Sequence, residues 1–450
     1  MGSVLRFRSV MPRPWHKRSN ARSTIPTKLW SSQPPDATMP ALKRGTAGPY
    51  VPPGQQDIFE AGKPRTPNPK LMILYITGTF PAWSETFIAQ ELRLLAAAGV
   101  PLLHVAIHRG QGSPPDGVPE PVYLTDDQPG TDGSRGLSLP IPKIVRRKMT
   151  LRRHSAAVQR LTELVDEHRP TLLYAAFADL PGVLTAHVAH TCATRYAISV
   201  HARDALVPKF DDQFLYGAAE SVFVCNQRVH DAFVQRCPDY LSKTQLVHHG
   251  LDLERWPMTG TTFNPDPLVN LLFVGRLIEK KGVDRAITLI GALHEADIAA
   301  HLRIIGDGPE RDACQAMVPA RLHDAIEWCG VRTPTEVAAH MATADLLLVP
   351  SRRLADGDTE GIPNVILEAM ASGLPVVASD VGSIMEVVRE DTGYVIDPDD
   401  VDAAINCLVE MIANRAAVDC KRHAARQLIE TRFDAGRLIQ LKVERLLRNQ

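Results

Sequence analysis

Short, uniformly apolar runs closed by glycine recur along this chain, and they constrain its fold more than any other feature. Leu71-Met72-Ile73-Leu74-Tyr75-Ile76 runs toward Gly78-Thr79-Phe80-Pro81, and Leu271-Leu272-Phe273-Val274 meets Gly275 directly. Runs without polar alternation read as strands buried on both faces, as in a parallel sheet covered by helices. The first half offers strands at 71–76, 102–107, 172–177, 196–200, 221–225 and 245–248. Helical patterns separate most of them. One opens at Ser84-Glu85-Thr86-Phe87-Ile88 and stops at Gly99. Residues 110–136, rich in Pro, Gly and Asp, read as a long loop. After a weakly patterned, proline-bearing stretch the rhythm restarts, with strands at 271–274, 302–305, 326–328, 346–349, 376–378 and 394–396.

Two successive β/α halves predict an α/β protein made of two Rossmann-like, doubly wound parallel-sheet domains facing a cleft. The expected boundaries are 71–255 for the first domain, 256–270 for a linker and 271–430 for the second. Residues 431–450 are expected as a C-terminal helix able to cross back to the first domain. Residues 1–70 stand apart. They hold 12 Lys/Arg, three acids and 12 prolines, a composition that buries too little apolar surface to offset chain entropy. They are expected to be a disordered, basic, proline-rich extension, or to reflect a start assigned too early.

The net charge of -1 gives no electrostatic reason to expect a nucleic-acid partner. Seven scattered cysteines without a C-x-x-C pair point to a reduced, cytoplasmic protein with thiols buried as small hydrophobes. No apolar run approaches the roughly 20 residues of a membrane-spanning helix. Residues 143–154 are basic, with Ile144, Val145, Met149 and Leu151 interleaved, which suits either a solvated helix face or peripheral contact with an anionic membrane.

The chemistry concentrates in the second half. Glu360-Gly361-Ile362-Pro363-Asn364 leads into an apolar run that carries Glu368. Pro363 has a fixed φ and no N–H, so it suits the first position of a helix. A helix start is a seat for phosphate, and carboxylates beside it accept from sugar hydroxyls. Gly275 lets the backbone approach a ligand, while Arg276 and Lys281 supply a planar fork and a mobile point charge suited to a diphosphate. Gly306-Asp307-Gly308 reads equally as a ligand loop or as a turn starting a helix at Pro309.

Gly275-Arg276, Lys281-Gly282, Gly306-Asp307-Gly308, Val349-Pro350-Ser351 and the Glu360/Glu368 pair occur together in that order. As a set they resemble the retaining glycosyltransferases of family 4, which have the two-domain GT-B fold. The resemblance covers about residue 71 to the C-terminus. Thr79-Phe80-Pro81, His201-Ala202-Arg203-Asp204 and 356–363 are similar, more narrowly, to colanic-acid and amylovoran-type exopolysaccharide glycosyltransferases. His248-His249-Gly250-Leu251-Asp252 stands where the wider family has Asn-Gly-Val-Asp, so no role passes to His249.

The resemblance implies a retaining transfer of a hexose from a nucleoside-diphosphate sugar to a saccharide or lipid-linked saccharide, in exopolysaccharide or cell-envelope glycan synthesis. It implies an acceptor-side first domain and a donor-side second domain. Donor binding would fall to Gly275, Arg276, Lys281, Glu360, Gly361, Ile362, Pro363, Asn364 and Glu368, with Glu360, His201, Arg276 and Lys281 closest to the chemistry. Gly78, Thr79, Ser84 and Glu85 would form a first-domain cleft loop. No metal or other cofactor is expected, so Asp211-Asp212 and Asp356-x-Asp358 are read as structural. Peripheral attachment to the inner face of the plasma membrane fits a lipid-linked acceptor. Two rivals share the scaffold: a nucleotide-sugar 2-epimerase and a non-catalytic sugar-nucleotide binder. A nicotinamide-dependent dehydrogenase is disfavoured, since no G-x-G-x-x-G follows the first strand of either half.

Overall fold

The computed structural model describes residues 72–82, 86–125, 141–258, 263, 265, 268–355 and 357–447. A seven-stranded sheet holds β1 (Ile73–Phe80), β2 (Leu102–Arg109), β3 (Val122–Tyr123), β4 (Leu172–Ala175), β5 (Tyr196–Val200), β6 (Ser221–Val224) and β7 (Thr244–Leu246). Their spatial order is β3-β2-β1-β4-β5-β6-β7, all parallel. A second, six-stranded sheet holds β8 (Val269–Val274), β9 (Ala300–Ile305), β10 (Ile326–Gly330), β11 (Leu346–Val349), β12 (Val376–Ser379) and β13 (Tyr394–Ile396). Its order is β10-β9-β8-β11-β12-β13, again all parallel.

The helices around the first sheet are α1 (Thr86–Ala97), α2 (Lys143–Arg153), α3 (Ser155–His168), α4 (Leu180–Thr191), α5 (Ala202–Leu206), α6 (Asp212–Tyr216) and α7 (Gln227–Arg236). Those that follow are α8 (Val283–Glu295), α9 (Arg311–Met317), α10 (Pro334–Ala342), α11 (Asn364–Ser372), α12 (Val401–Ala413), α13 (Arg415–Arg432) and α14 (Ala435–Leu447). Both faces of both sheets are covered, which is why the central strands are apolar throughout: β4, β5 and β11 are buried at every residue. In each sheet the strand order reverses beside the first strand, between β1 and β4 and between β8 and β11. Crevices at the carboxyl ends of such switch points are where ligands of doubly wound sheets bind.

Three local expectations are corrected. Residues 110–136 are not loop throughout, because Val122 and Tyr123 pair with Val105 and Ala106 as an edge strand too short to show a period. Gly78 and Thr79 are not a loop either. β1 stays paired with β2 as far as Phe80↔Arg109, and Gly110 N donates to the Phe80 carbonyl, so both residues lie within the strand. Pro363 precedes α11 instead of occupying its first turn, with an extended ψ of 130°. Ser84 and Glu85 lie outside the described residues. Among the described residues no helix is long and apolar enough to cross a membrane.

The chain returns to the first sheet at its end. Leu251 N donates to the Phe433 carbonyl (2.7 Å) and Ala435 N to the Leu251 carbonyl (3.0 Å), which sets the start of α14. Gly250 permits this approach, since a Cβ there would overlap the Ala435 backbone. α14 then lies on α1, where Lys442 Nζ meets Glu91 Oε1 at 2.6 Å, and the ammonium also sits 4.7 Å from the Tyr174 ring centre. Burial opposes the charge on Lys442, but the Glu91 carboxylate outweighs it and holds the ammonium above its ordinary range. Removing one member of a buried pair leaves the other charge uncompensated. Lys442→Met should therefore lower the unfolding free energy by about 3–5 kcal/mol, with Glu91→Leu added in the same chain recovering most of it. Chemical denaturation of the three chains checks this.

Candidate functional site

The site is built at the carboxyl ends of β8 and β11. Gly282 has φ +70°, and a Cβ there would overlap the Pro350 carbonyl. That left-handed glycine lets the turn Glu279–Lys281 fold against the end of β11, where Arg352 N donates to the Lys280 carbonyl at 2.9 Å. Lys281 Nζ consequently reaches Glu360 Oε2 at 3.1 Å. Lys280 Nζ pairs separately with Asp358 at 3.1 Å. Arg276, one turn earlier, is exposed; its carbonyl accepts from Ile278 N at 2.9 Å, while its side chain makes no hydrogen bond or ion pair among the described residues.

Glu360 is only 7% exposed, and its backbone is held as firmly as its side chain. Ser383 N donates to the Glu360 carbonyl (3.2 Å), and Gly382, at φ +66°, leaves that carbonyl room that a Cβ would fill. The other carboxylate oxygen, Oε1, has no partner among the described residues, and neither do the buried hydroxyls of Thr359, the preceding residue, and of Ser351. Buried polar atoms are nearly always satisfied, so the open Oε1 is a place where a polar ligand can complete the bonding. α11 begins four residues after Glu360 with no side chain capping its first amides. Its N-terminus is thus free to receive an anion.

Glu368 lies further along α11. Its rim is partly accessible, but the surrounding protein is dense enough that burial pushes its carboxyl up to about 7, against the pull of Arg255. Gly306 and Gly308 have a packing role, since Cβ atoms there would overlap the Gly275 and Leu277 carbonyls; α9 starts at Arg311, after the expected Pro309. Asp211 and Asp212 are also structural. Asp211 caps α6 through Phe214 N (3.1 Å) and pairs with Arg147, while Asp212 pairs with Arg236. Asp356 lies outside the described residues.

Across the cleft, the ends of β5, β6 and β7 bring His201, Cys225 and His249 together, with their ligand atoms within 4.8 Å of one another. His201 Nε2 donates to the Ala176 carbonyl at 3.0 Å. That tautomer leaves the Nδ1 lone pair to accept from His249 Nε2 at 3.4 Å, with the two rings nearly parallel. Phe87 and Phe177 enclose them. Burial lowers the His201 pKa to about 4 and that of His249 well below its usual value, and pushes the Cys225 thiol up to about 12. All three groups are neutral near pH 7. Each comes from a different strand end, so no sequence spacing announces the trio.

The two halves touch beside the Glu360 loop. Asn226 Nδ2 lies 3.6 Å from the Cβ position of Gly361, and Asn364 Nδ2 donates to Thr86 Oγ1 (3.1 Å) at the start of α1. Glu386 accepts from Gln227 N (3.1 Å) and from His248 Nε2 (3.3 Å). Burial would raise the Glu386 carboxyl, but His248 and the Gln227 amide outweigh it and hold it below the usual carboxylate range.

Residues 269–414 match the family described as glycosyl transferases group 1. The chain is 32% identical over 207 residues to the amylovoran biosynthesis glycosyltransferase of Erwinia amylovora, covering 46% of this chain and 50% of that one. It is 36% identical over 171 residues to the putative colanic acid biosynthesis glycosyltransferase of Escherichia coli K12, covering 36% and 42%. It thus spans about half the length of these curated relatives, or less. The structure of HepE from Anabaena in complex with UDP-glucose superposes with a TM-score of 0.60 at 17% identity, over 84% of this chain and 100% of that one. The fold is GT-B, as in the structures of sucrose-phosphate synthase from Thermosynechococcus elongatus and of the glycosyltransferase WaaG that it resembles.

Glu368 titrates higher folded than unfolded, so its contribution to stability is fully present below the unfolded carboxylate range and is lost as pH rises through about 7. Glu368→Gln should therefore raise the melting temperature of the ligand-free chain at about pH 8 and leave it unchanged at about pH 4. Differential scanning fluorimetry at the two pH values checks this.

Proposed function

We propose that this chain is a retaining glycosyltransferase, moving a hexose from a nucleoside-diphosphate sugar to a saccharide or lipid-linked saccharide in exopolysaccharide or cell-envelope glycan synthesis. The observation that carries this reading is Glu360: buried, paired to Lys281 through one oxygen, unpartnered at the other, and placed before the uncapped start of α11. A sugar hydroxyl satisfies Oε1, and a diphosphate takes the free N–H groups, the exposed Arg276 and the Lys281 ammonium. Glu368 then accepts from the ribose. Both curated relatives act in exopolysaccharide synthesis by their names, and HepE carries UDP-glucose, which supports the donor class.

In the transfer, the bond between the sugar C1 and the β-phosphate oxygen breaks, and the acceptor oxygen bonds C1 from the same face. The acceptor proton passes to the departing phosphate oxygen. Arg276, Lys281 and the α11 amides stabilise the charge that develops on that phosphate, so the barrier falls without a protein nucleophile. The two carboxylates are not an acid/base pair flanking one bond, because Lys281 fixes Glu360 as an acceptor while Glu368 serves the nucleotide. His201 borders the reacting centre as a neutral imidazole already committed to Ala176 and His249. We propose that the transfer uses no metal, with Arg276, Lys281 and the α11 amides taking the charge on the phosphates.

α2 suits the lipid-linked acceptor. Among its 11 residues are six Lys/Arg and no acid, and Ile144, Val145 and Met149 stand 53%, 44% and 55% exposed. Arg147 is tied to Asp211 and lies over the Phe214 ring, which anchors the helix with this apolar and basic face outward. The face fits the inner, anionic leaflet of the plasma membrane. Changing Ile144, Val145 and Met149 to Ser should abolish sedimentation with phosphatidylglycerol vesicles and leave the melting temperature unchanged; undiminished binding contradicts this docking face.

The reaction itself is tested by incubating the chain with UDP- and GDP-hexoses, with and without a saccharide acceptor, and analysing the products. Transfer or slow donor hydrolysis, insensitive to EDTA, is expected. An epimerised free sugar nucleotide points instead to the 2-epimerase, and binding without turnover to a sensor. Glu360→Gln should lower turnover roughly hundred- to thousandfold with the fold retained.

A further inference from the structure

The turn that holds the Glu360 carbonyl also grips the other domain. Gly382 and Ser383 pack against the Glu360 backbone, and Glu386, three residues later, reaches across the cleft to α7. A helix start leaves its first amides without intrahelical partners. In α7, Val229 N is capped by Asn226 Oδ1 at 2.9 Å, within its own domain. Among the described residues, the two amides before it, Gln227 N and Arg228 N, find acceptors only in Glu386, at 3.1 and 3.5 Å. The carboxylate also complements the positive end of the helix dipole and receives His248 Nε2, whose side chain is 2% exposed. The same helix cap, Asn226, lies against Gly361, the residue after Glu360.

We propose that Glu386 is a positioning residue for the transfer. It clamps α7 and His248 of the first domain onto the turn 382–386, so that the Glu360–Gly361 loop and the first-domain wall of the site are set together. Glu386 touches no reacting atom. It acts through α7 and Asn226 on one side and through Gly382 and Ser383 on the other, which makes the closed cleft the geometry in which Glu360 faces the donor. The assignment of its effect on turnover rests on the donor site proposed above; the clamp itself does not.

Hydrogen exchange on the ligand-free full chain and steady-state donor consumption separate these parts. Glu386→Ala should speed exchange at residues 227 and 228 while the sheets keep their protection. Turnover should drop roughly ten- to hundredfold, with the donor KM within about twofold of the parent value. Glu386→Gln, which keeps an acceptor but no charge, should fall between parent and Ala in both readouts. Unchanged exchange at the α7 start in the Ala variant overturns the clamp, and faster exchange with undiminished turnover overturns the positioning role. Should the Ala variant fail to fold, Glu386→Gln decides, and parent-like exchange and turnover in it overturn the proposal. A parent chain that consumes no UDP- or GDP-hexose defeats the donor reading instead, while the exchange result still stands or falls by itself.

Discussion

The ion pair between Lys281 and Glu360 is the interaction on which the rest of the second-domain site depends. A carboxylate 7% exposed is costly unless a cation stays beside it, and here the cation arrives from the opposite side of the sheet switch point. Gly282 is required to bring it there, Gly382 and Ser383 to hold the carbonyl behind it, and Pro363 to turn the chain into α11. Each of these sits at a strand end or helix start, where backbone groups are unpaired and the chain can change direction. One oxygen remains open after all of them have acted. That is the geometry of a site waiting for a hydroxyl donor.

The first-domain wall has a different electrostatic character. His201, His249 and Cys225 are kept neutral by burial, and aromatic rings enclose the two imidazoles. In the proposed transfer, a neutral, enclosed wall opposite Arg276 and Lys281 would favour charge building on the second-domain side, the direction that departure of a nucleoside diphosphate would demand. Glu386 and Asn364 join the two walls with charge-assisted and neutral hydrogen bonds, and both lie within a few residues of the loops they align.

Much of this was legible in the sequence because strand-end chemistry is local. The uniformly apolar runs located twelve of the thirteen strands, eleven of them within two residues of their observed bounds, and only the two-residue edge strand Val122–Tyr123 escaped notice. Lys281 and Glu360, which follow the ends of β8 and β11, were expected to share a site through the resemblance of the whole motif set, and the structure pairs them. Gly78 and Thr79 were misplaced because a glycine after an apolar run reads as a stop, whereas pairing with β2 carried β1 on to Phe80. The His201–Cys225–His249 trio and the grip of Glu386 on α7 were not legible. Both join residues brought together only by the stacking of strand ends or by closure of one domain on the other, and neither has a spacing in the chain.

The central claim is that the Lys281–Glu360 site seats a nucleoside diphosphate. Isothermal titration of the ligand-free chain with UDP and with GDP addresses it most directly, since it needs neither the acceptor nor the transferred sugar. The account predicts saturable binding of at least one, lost when Lys281 and Arg276 are both changed to Ala. No binding of either, or binding unaffected by the double change, would contradict it.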